Sequence, residues 1–202
     1  MTLFLKGLIV GIAISAPMGS VGILVVHRII AHNKISAFFV CLGSLIADSI
    51  FGIIAIYGLS TLSTLINNHK AGLSLFGGAM LLIVALNIFF SKPKEKVEYD
   101  FYYTIPKDFI TGFILTITNP LTVLAVLGLF AWFGLNGAAD SIILATILFL
   151  GLLSGLMIWW LSLIEITYYF KEKIRIPQFK IVNRIFGLIL FILAVLVLNR
   201  VL

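Results

Sequence analysis

Six long apolar runs, at 3–26, 36–59, 72–90, 109–133, 141–164 and 183–202, constrain this chain more than any other feature. Each is close to the ~20 residues a helix needs to cross about 30 Å of hydrocarbon. In that medium every backbone N–H and C=O must find a partner inside the protein, which leaves helices or a closed barrel. A barrel strand alternates apolar and polar residues over about ten positions, whereas these runs are continuous. The sequence therefore predicts an all-α integral membrane protein with six transmembrane helices. Composition agrees, with 61% of the 202 residues hydrophobic and 11% charged, against about 45–50% and 25% in soluble domains. Small residues from Ala13 to Gly19 give the first run a likeness to a signal peptide. Its only basic leader residue is Lys6, however, and the run continues past Pro17, which favours a retained span.

The net charge of +6 would suggest nucleic acid in a soluble protein. Laid on six spans, it has another origin. Connections after the first, third and fifth spans hold 11 of the 14 Lys and Arg residues, among them Arg28, Lys34, Lys107, Lys171 and Arg184. The opposite face, with both termini, holds only Lys6, Lys70 and Arg200. The positive-inside rule then puts the basic connections in the cytoplasm and both termini outside, and no nucleic-acid partner is expected. By the same reading, the chain divides into a three-helix unit at 1–90, a charged cytoplasmic linker at 91–108 and a second three-helix unit at 109–202. An odd number of crossings inverts the second unit relative to the first. Both units open similarly, running from Gly7 to Pro17 and from Gly112 to Pro120 through apolar residues. Glycine- or proline-interrupted helices at corresponding positions of inverted halves point to a binding site near the midplane in secondary transporters.

The candidate site residues follow from depth. Pro17 removes an amide and crowds the preceding turn in mid-span, and Gly19 lets the backbone leave helical geometry cheaply; a plain proline kink is the alternative. In the fourth span Thr116, Thr118, Asn119, Pro120 and Thr122 form a polar cluster, where Asn119 can cap a freed backbone group or bond a polar solute. Asp48 is the only acid well inside a predicted span. A central carboxylate costs about 2.5–3.5 kcal/mol to insert, and intramembrane acids are functional candidates by default. Ser44 and Gly52 share its helical face, with Ala47 and Ala55 close by, while Ile46, Ile50 and Ile54 cover the rest, so Asp48 is expected to point into the bundle. Trp159 reads equally as an interfacial anchor or a cavity wall. Arg184 anchors to headgroups or receives a carboxylate at a vestibule. Glu165 is expected to reach water or pair with Lys171, and His27, His32 and His69 to be solvated.

Several segments resemble the LysE/RhtB family of bacterial amino-acid exporters: A-P-M-G-S-V-G at 16–22, G-S-L-I-A-D at 43–48, T-N-P-L at 118–121, the pair Trp159–Trp160, and N-R-I-F-G at 183–187. The likeness runs along essentially the whole chain. One difference is Ser20, where the family often has a proline or asparagine, so only Pro17 and Gly19 carry over there. The resemblance implies a secondary active exporter of amino acids or related small metabolites in the bacterial cytoplasmic (inner) membrane, driven by a proton gradient or membrane potential, with no cofactor. Asp48, Asn119 and Pro120 match the family pattern. A metal-cation exporter would want several acids, histidines or cysteines at membrane depth. An enzyme or thiol relay finds neither a second facing acid nor a partner for Cys41. A non-catalytic assembly protein stays open as a further alternative, and the small-residue faces could serve internal packing or a homodimer seam.

Overall fold

The computed structural model describes residues 2–17, 19–61, 70–90, 104–133, 135, 141–172 and 179–199. Among the described residues the regular structure is wholly helical: α1 Thr2–Ser15, α2 Ser20–Ala31, α3 Lys34–Thr61, α4 Lys70–Phe90, α5 Ile105–Ile117, α6 Pro120–Trp132, α7 Ile142–Tyr169 and α8 Phe179–Leu198. Most of the expected linker (91–103), with His69 and Arg200, lies outside the described residues.

Two of the six expected spans are not single rods. The first is α1 and α2 meeting at 73°, and the fourth is α5 and α6 meeting at 60°. Lys34–Gly58 within α3 and Ile142–Tyr169 are each long and apolar enough to cross a bilayer alone, and each bent pair qualifies when taken together. The breaks follow from the prolines. Ala16 N–H still reaches the Ile12 carbonyl at 2.9 Å, but Pro17 has no N–H to continue the ladder. Gly19 N–H turns back to the Pro17 carbonyl at 2.8 Å, and Gly19, in extended backbone, then caps α2. At the second break Asn119 Oδ1 accepts the Leu121 N–H at 3.1 Å while Pro120, which owes the helix no amide, opens α6.

The halves interlock. α1 packs along α7, α3 along α5 and α4 along α8, with α2 lying on α3 and α6 on α4. One core gathers Val10, Ile56, Leu81, Leu129, Phe130, Leu148, Leu152 and Leu156; a second gathers Leu24, Val25, Val26, Ala37, Val40, Cys41 and Trp160. Lipid-type surface lies outside them, where Ile9, Ile54, Ile83, Ile114, Ile143 and Ile158 are exposed.

Glycine sets the closest approaches. A Cβ at Gly7 would strike the Leu148 carbonyl, and one at Gly151 the Phe4 carbonyl. In the other long pairing, a Cβ at Gly112 would strike the Val40 carbonyl and one at Gly43 the Phe109 carbonyl. Within lipid, such backbone-to-backbone packing replaces the hydrophobic driving force available in water.

Candidate functional site

The α3–α5 seam carries the polar chemistry. Asp48, on α3, is 3% exposed and shares a side-chain hydrogen bond with Ser44, one turn earlier on the same face. Thr116 Oγ1, on α5, stands 2.8 Å from Ser44 Oγ and 2.9 Å from the Gly112 carbonyl, so its hydroxyl can donate to either. Thr116, Ser44 and Asp48 thus form a hydroxyl–hydroxyl–carboxyl line across the seam. It begins next to the α5–α6 break, where Asn119 N–H bonds the Thr116 carbonyl at 3.0 Å. The close glycine contacts at Gly43 and Gly112 let the two helices approach enough for these short side chains to meet.

The other predicted residues scatter around this line. Pro17 is half-buried and Gly19 exposed at the first break, and Pro120 is exposed at the second. Thr118 is exposed, its hydroxyl bonded back to the Ile114 carbonyl at 2.6 Å. Asn119 is half-buried and spends its Oδ1 on the Leu121 amide, the capping alternative of its two expected roles. Trp159 stacks edge-to-face on Phe186 at 5.5 Å between ring centres, with Nε1 buried and without an acceptor. Arg184 is exposed on α8.

Two expectations are corrected. Glu165 does reach water, its side chain being 68% exposed, but its ion-pair partner is Lys34 at 2.7 Å and not Lys171, because α3 and α7 lie side by side; Lys171 Nζ sits 5.1 Å over the Tyr168 ring. His27, expected in water, is half-buried with Nδ1 enclosed, because α2 runs on to Ala31 and carries it inside.

A buried ionic group escaped the sequence reading altogether. Arg28 (4% exposed), near the end of α2, sets Nε 2.8 Å from Oδ1 of Asp108 (0% exposed), in the first turn of α5. Ser36, near the start of α3, donates its hydroxyl to Asp108 Oδ2. The Arg28 Nε–H does not point along a good hydrogen-bond line, so Nε and Oδ1 touch as charges while their hydrogen-bonding capacity stays unused. The missed signal is Thr104 followed by Pro106 and an acid at Asp108, a helix-start pattern that places Asp108 inside a helix instead of at the end of a linker. At the opposite end of the bundle, Lys6 Nζ donates to the Phe133 carbonyl at 3.1 Å.

Comparison with known proteins matches residues 12–200 to a family model described as LysE type translocator. The chain is 27% identical over 164 residues to a protein named "Putative amino acid efflux protein YcgF" from Bacillus subtilis (strain 168), covering 79% of this chain and 77% of that one. No solved structure matches the chain.

Proposed function

The chain belongs to the LysE type translocator family, and from that premise, with the two broken helices and the buried carboxyl, we infer that it exports an amino acid or related small metabolite by alternating access. The efflux role in its relative's name supports the substrate class. The observation that carries the mechanism is the Thr116–Ser44–Asp48 line abutting the α5–α6 break. Where a helix is interrupted inside the bundle, terminal N–H and C=O groups are available to a solute. A carboxyl beside them is suited to holding the solute's ammonium group or a counter-transported proton, since its proton affinity changes with hydration and neighbouring charge.

The interlocked halves support an inverted repeat. Phe4 and Gly7 stand 105 positions before Phe109 and Gly112, while Val40 and Gly43 stand 108 before Leu148 and Gly151. Under these two shifts the Gly7–Leu148 contact maps onto Gly112–Val40, and Gly151–Phe4 onto Gly43–Phe109. The second shift also carries the 28-residue α3 onto the 28-residue α7, end to end. A carrier built this way exchanges the conformations of its halves to turn the site from one face to the other. The charge asymmetry of the connections supports a topology with the Arg28–Asp108 end in the cytoplasm and both termini outside.

The test is export of a panel of amino acids from cells overproducing the chain, beside Asp48→Asn. The wild type moves at least one member, and the variant, present in the membrane at equal amount, moves none; full export by the variant removes Asp48 from the coupling step.

A further inference from the structure

The shift of 105 relates the starts of α1 and α5, and aligning α2 with α6 on their last residues relates the other sides of the two junctions; there the halves differ in one place. Asp108, moved back 105 positions, becomes Leu3. Arg28, three residues before the end of α2, corresponds to Leu129, three before the end of α6. Leu3 packs against the core that contains the fully buried Leu129. By that alignment, leucines stand where the other end has a buried arginine–aspartate pair. Among the described residues, the charged contact at that end is a single cation, Lys6 Nζ, on the Phe133 carbonyl at 3.1 Å. Buried ion pairs are often no more stable than well-packed apolar residues of similar size, whereas a single charge left behind is strongly destabilising.

Resting on the exporter reading above, we propose that Arg28 and Asp108 are the cytoplasmic latch of the carrier and its entry site for a zwitterion. In this structure the latch is shut, each charge neutralising the other. A zwitterionic amino acid brings both opposite charges at once. Its carboxylate takes the Arg28 guanidinium, a planar fork suited to bidentate pairing. Its ammonium takes Asp108, whose Oδ2 is already oriented by the Ser36 hydroxyl. No unpaired charge is left buried at any stage, so the substrate can part α2 from α5 at small cost. An amine without the carboxylate, or an acid without the ammonium, strands one member of the pair, so the latch discriminates by needing both charges together.

Two variants test this. Arg28→Leu with Asp108→Leu removes both charges together and leaves neither buried alone, so it folds, melts near the wild-type temperature and exports nothing; export at the wild-type rate by the folded double variant overturns the latch while leaving the exporter reading intact. A wild type that moves only metabolites lacking one of the two charges overturns the latch alone, and one that moves neither amino acids nor related metabolites overturns both. The second measurement uses Cys41, buried beneath this end among Leu24, Val25 and Ala37, and its counterpart 108 positions on, Phe149. In inside-out vesicles the amino acid found to be exported speeds alkylation of Cys41 by N-ethylmaleimide roughly tenfold, and its methyl ester does not. Asp108→Asn speeds Cys41 alkylation without amino acid, and slows alkylation at Phe149→Cys in a Cys41→Ser background. Faster alkylation at both positions marks general loosening and overturns the proposal, as does equal acceleration by the methyl ester.

Discussion

The α1–α7 and α3–α5 seams share a backbone design and differ in what fills it. Both are drawn tight by a glycine on each partner lying against the other's carbonyl, Gly7 with Gly151 and Gly43 with Gly112. Moving Thr116, Ser44 and Asp48 to the corresponding places in the first seam lands on Gly11, Leu152 and Leu156, where a further glycine contact and two fully buried leucines continue the dry packing. The tight glycine packing occurs in both seams, and the hydroxyl–carboxyl line in one of them. Close packing is therefore a requirement of the architecture, while the hydroxyl–carboxyl line is an addition that packing does not require, which is the physical ground for assigning function to α3–α5.

Substitutions can break that comparison from either side. The largest effect falls on the shared feature: Gly112→Leu and Gly151→Leu each drive a branched side chain into a backbone carbonyl that cannot yield, and both should abolish accumulation of folded protein in the membrane, read by detergent-solubilised monodispersity. Loss in only one seam would mean the two are not equivalent. Next comes Asp48→Asn, with export reduced to background and folding retained, set beside Leu156→Ala, its counterpart in the dry seam. The leucine variant should cost about 2–5 kcal/mol of stability, seen as a lowered melting temperature, while the folded fraction still transports. Thr116→Val, which keeps shape and removes one hydroxyl, should slow export by up to roughly tenfold, the worth of a net hydrogen bond of about 0.5–1.5 kcal/mol. The smallest effect is expected at Lys34→Ala. Its pair with Glu165 is substantially exposed, so melting should move by no more than about 1 kcal/mol would move it.

Much of this was legible in the chain because its signals are local. Pro17 and Pro120 mark both helix breaks, since a missing amide acts wherever it stands, and Asp48 is conspicuous as an acid amid isoleucines facing lipid. The family resemblance and the bent helices agree on where the chain is interrupted. What stayed hidden depends on partners distant in sequence. Arg28 and Asp108 each read as loop charges, one beyond the first apolar run and one before the fourth; only the docking of α2 on α5 buries them together. The Lys34–Glu165 pair escaped for the same reason, as it needs α3 and α7 side by side. Asn119 was ambiguous by chemistry, because one amide serves a backbone cap or a solute equally well.

α3 and α7 have a consequence outside the protein. At 28 residues each and about 1.5 Å per residue, these rods reach about 42 Å, well beyond a hydrocarbon slab of about 30 Å. Their polar ends fit the headgroup layers, but the apolar runs 36–59 and 141–164, about 36 Å each at that rise, still exceed the hydrocarbon and are matched by tilt or by local lipid stretching. Acyl-chain length thereby becomes a control on this carrier: thicker bilayers let the two rods stand upright, thinner ones tip them, and reconstituted turnover should vary with the lipid chosen even when every side chain is unchanged.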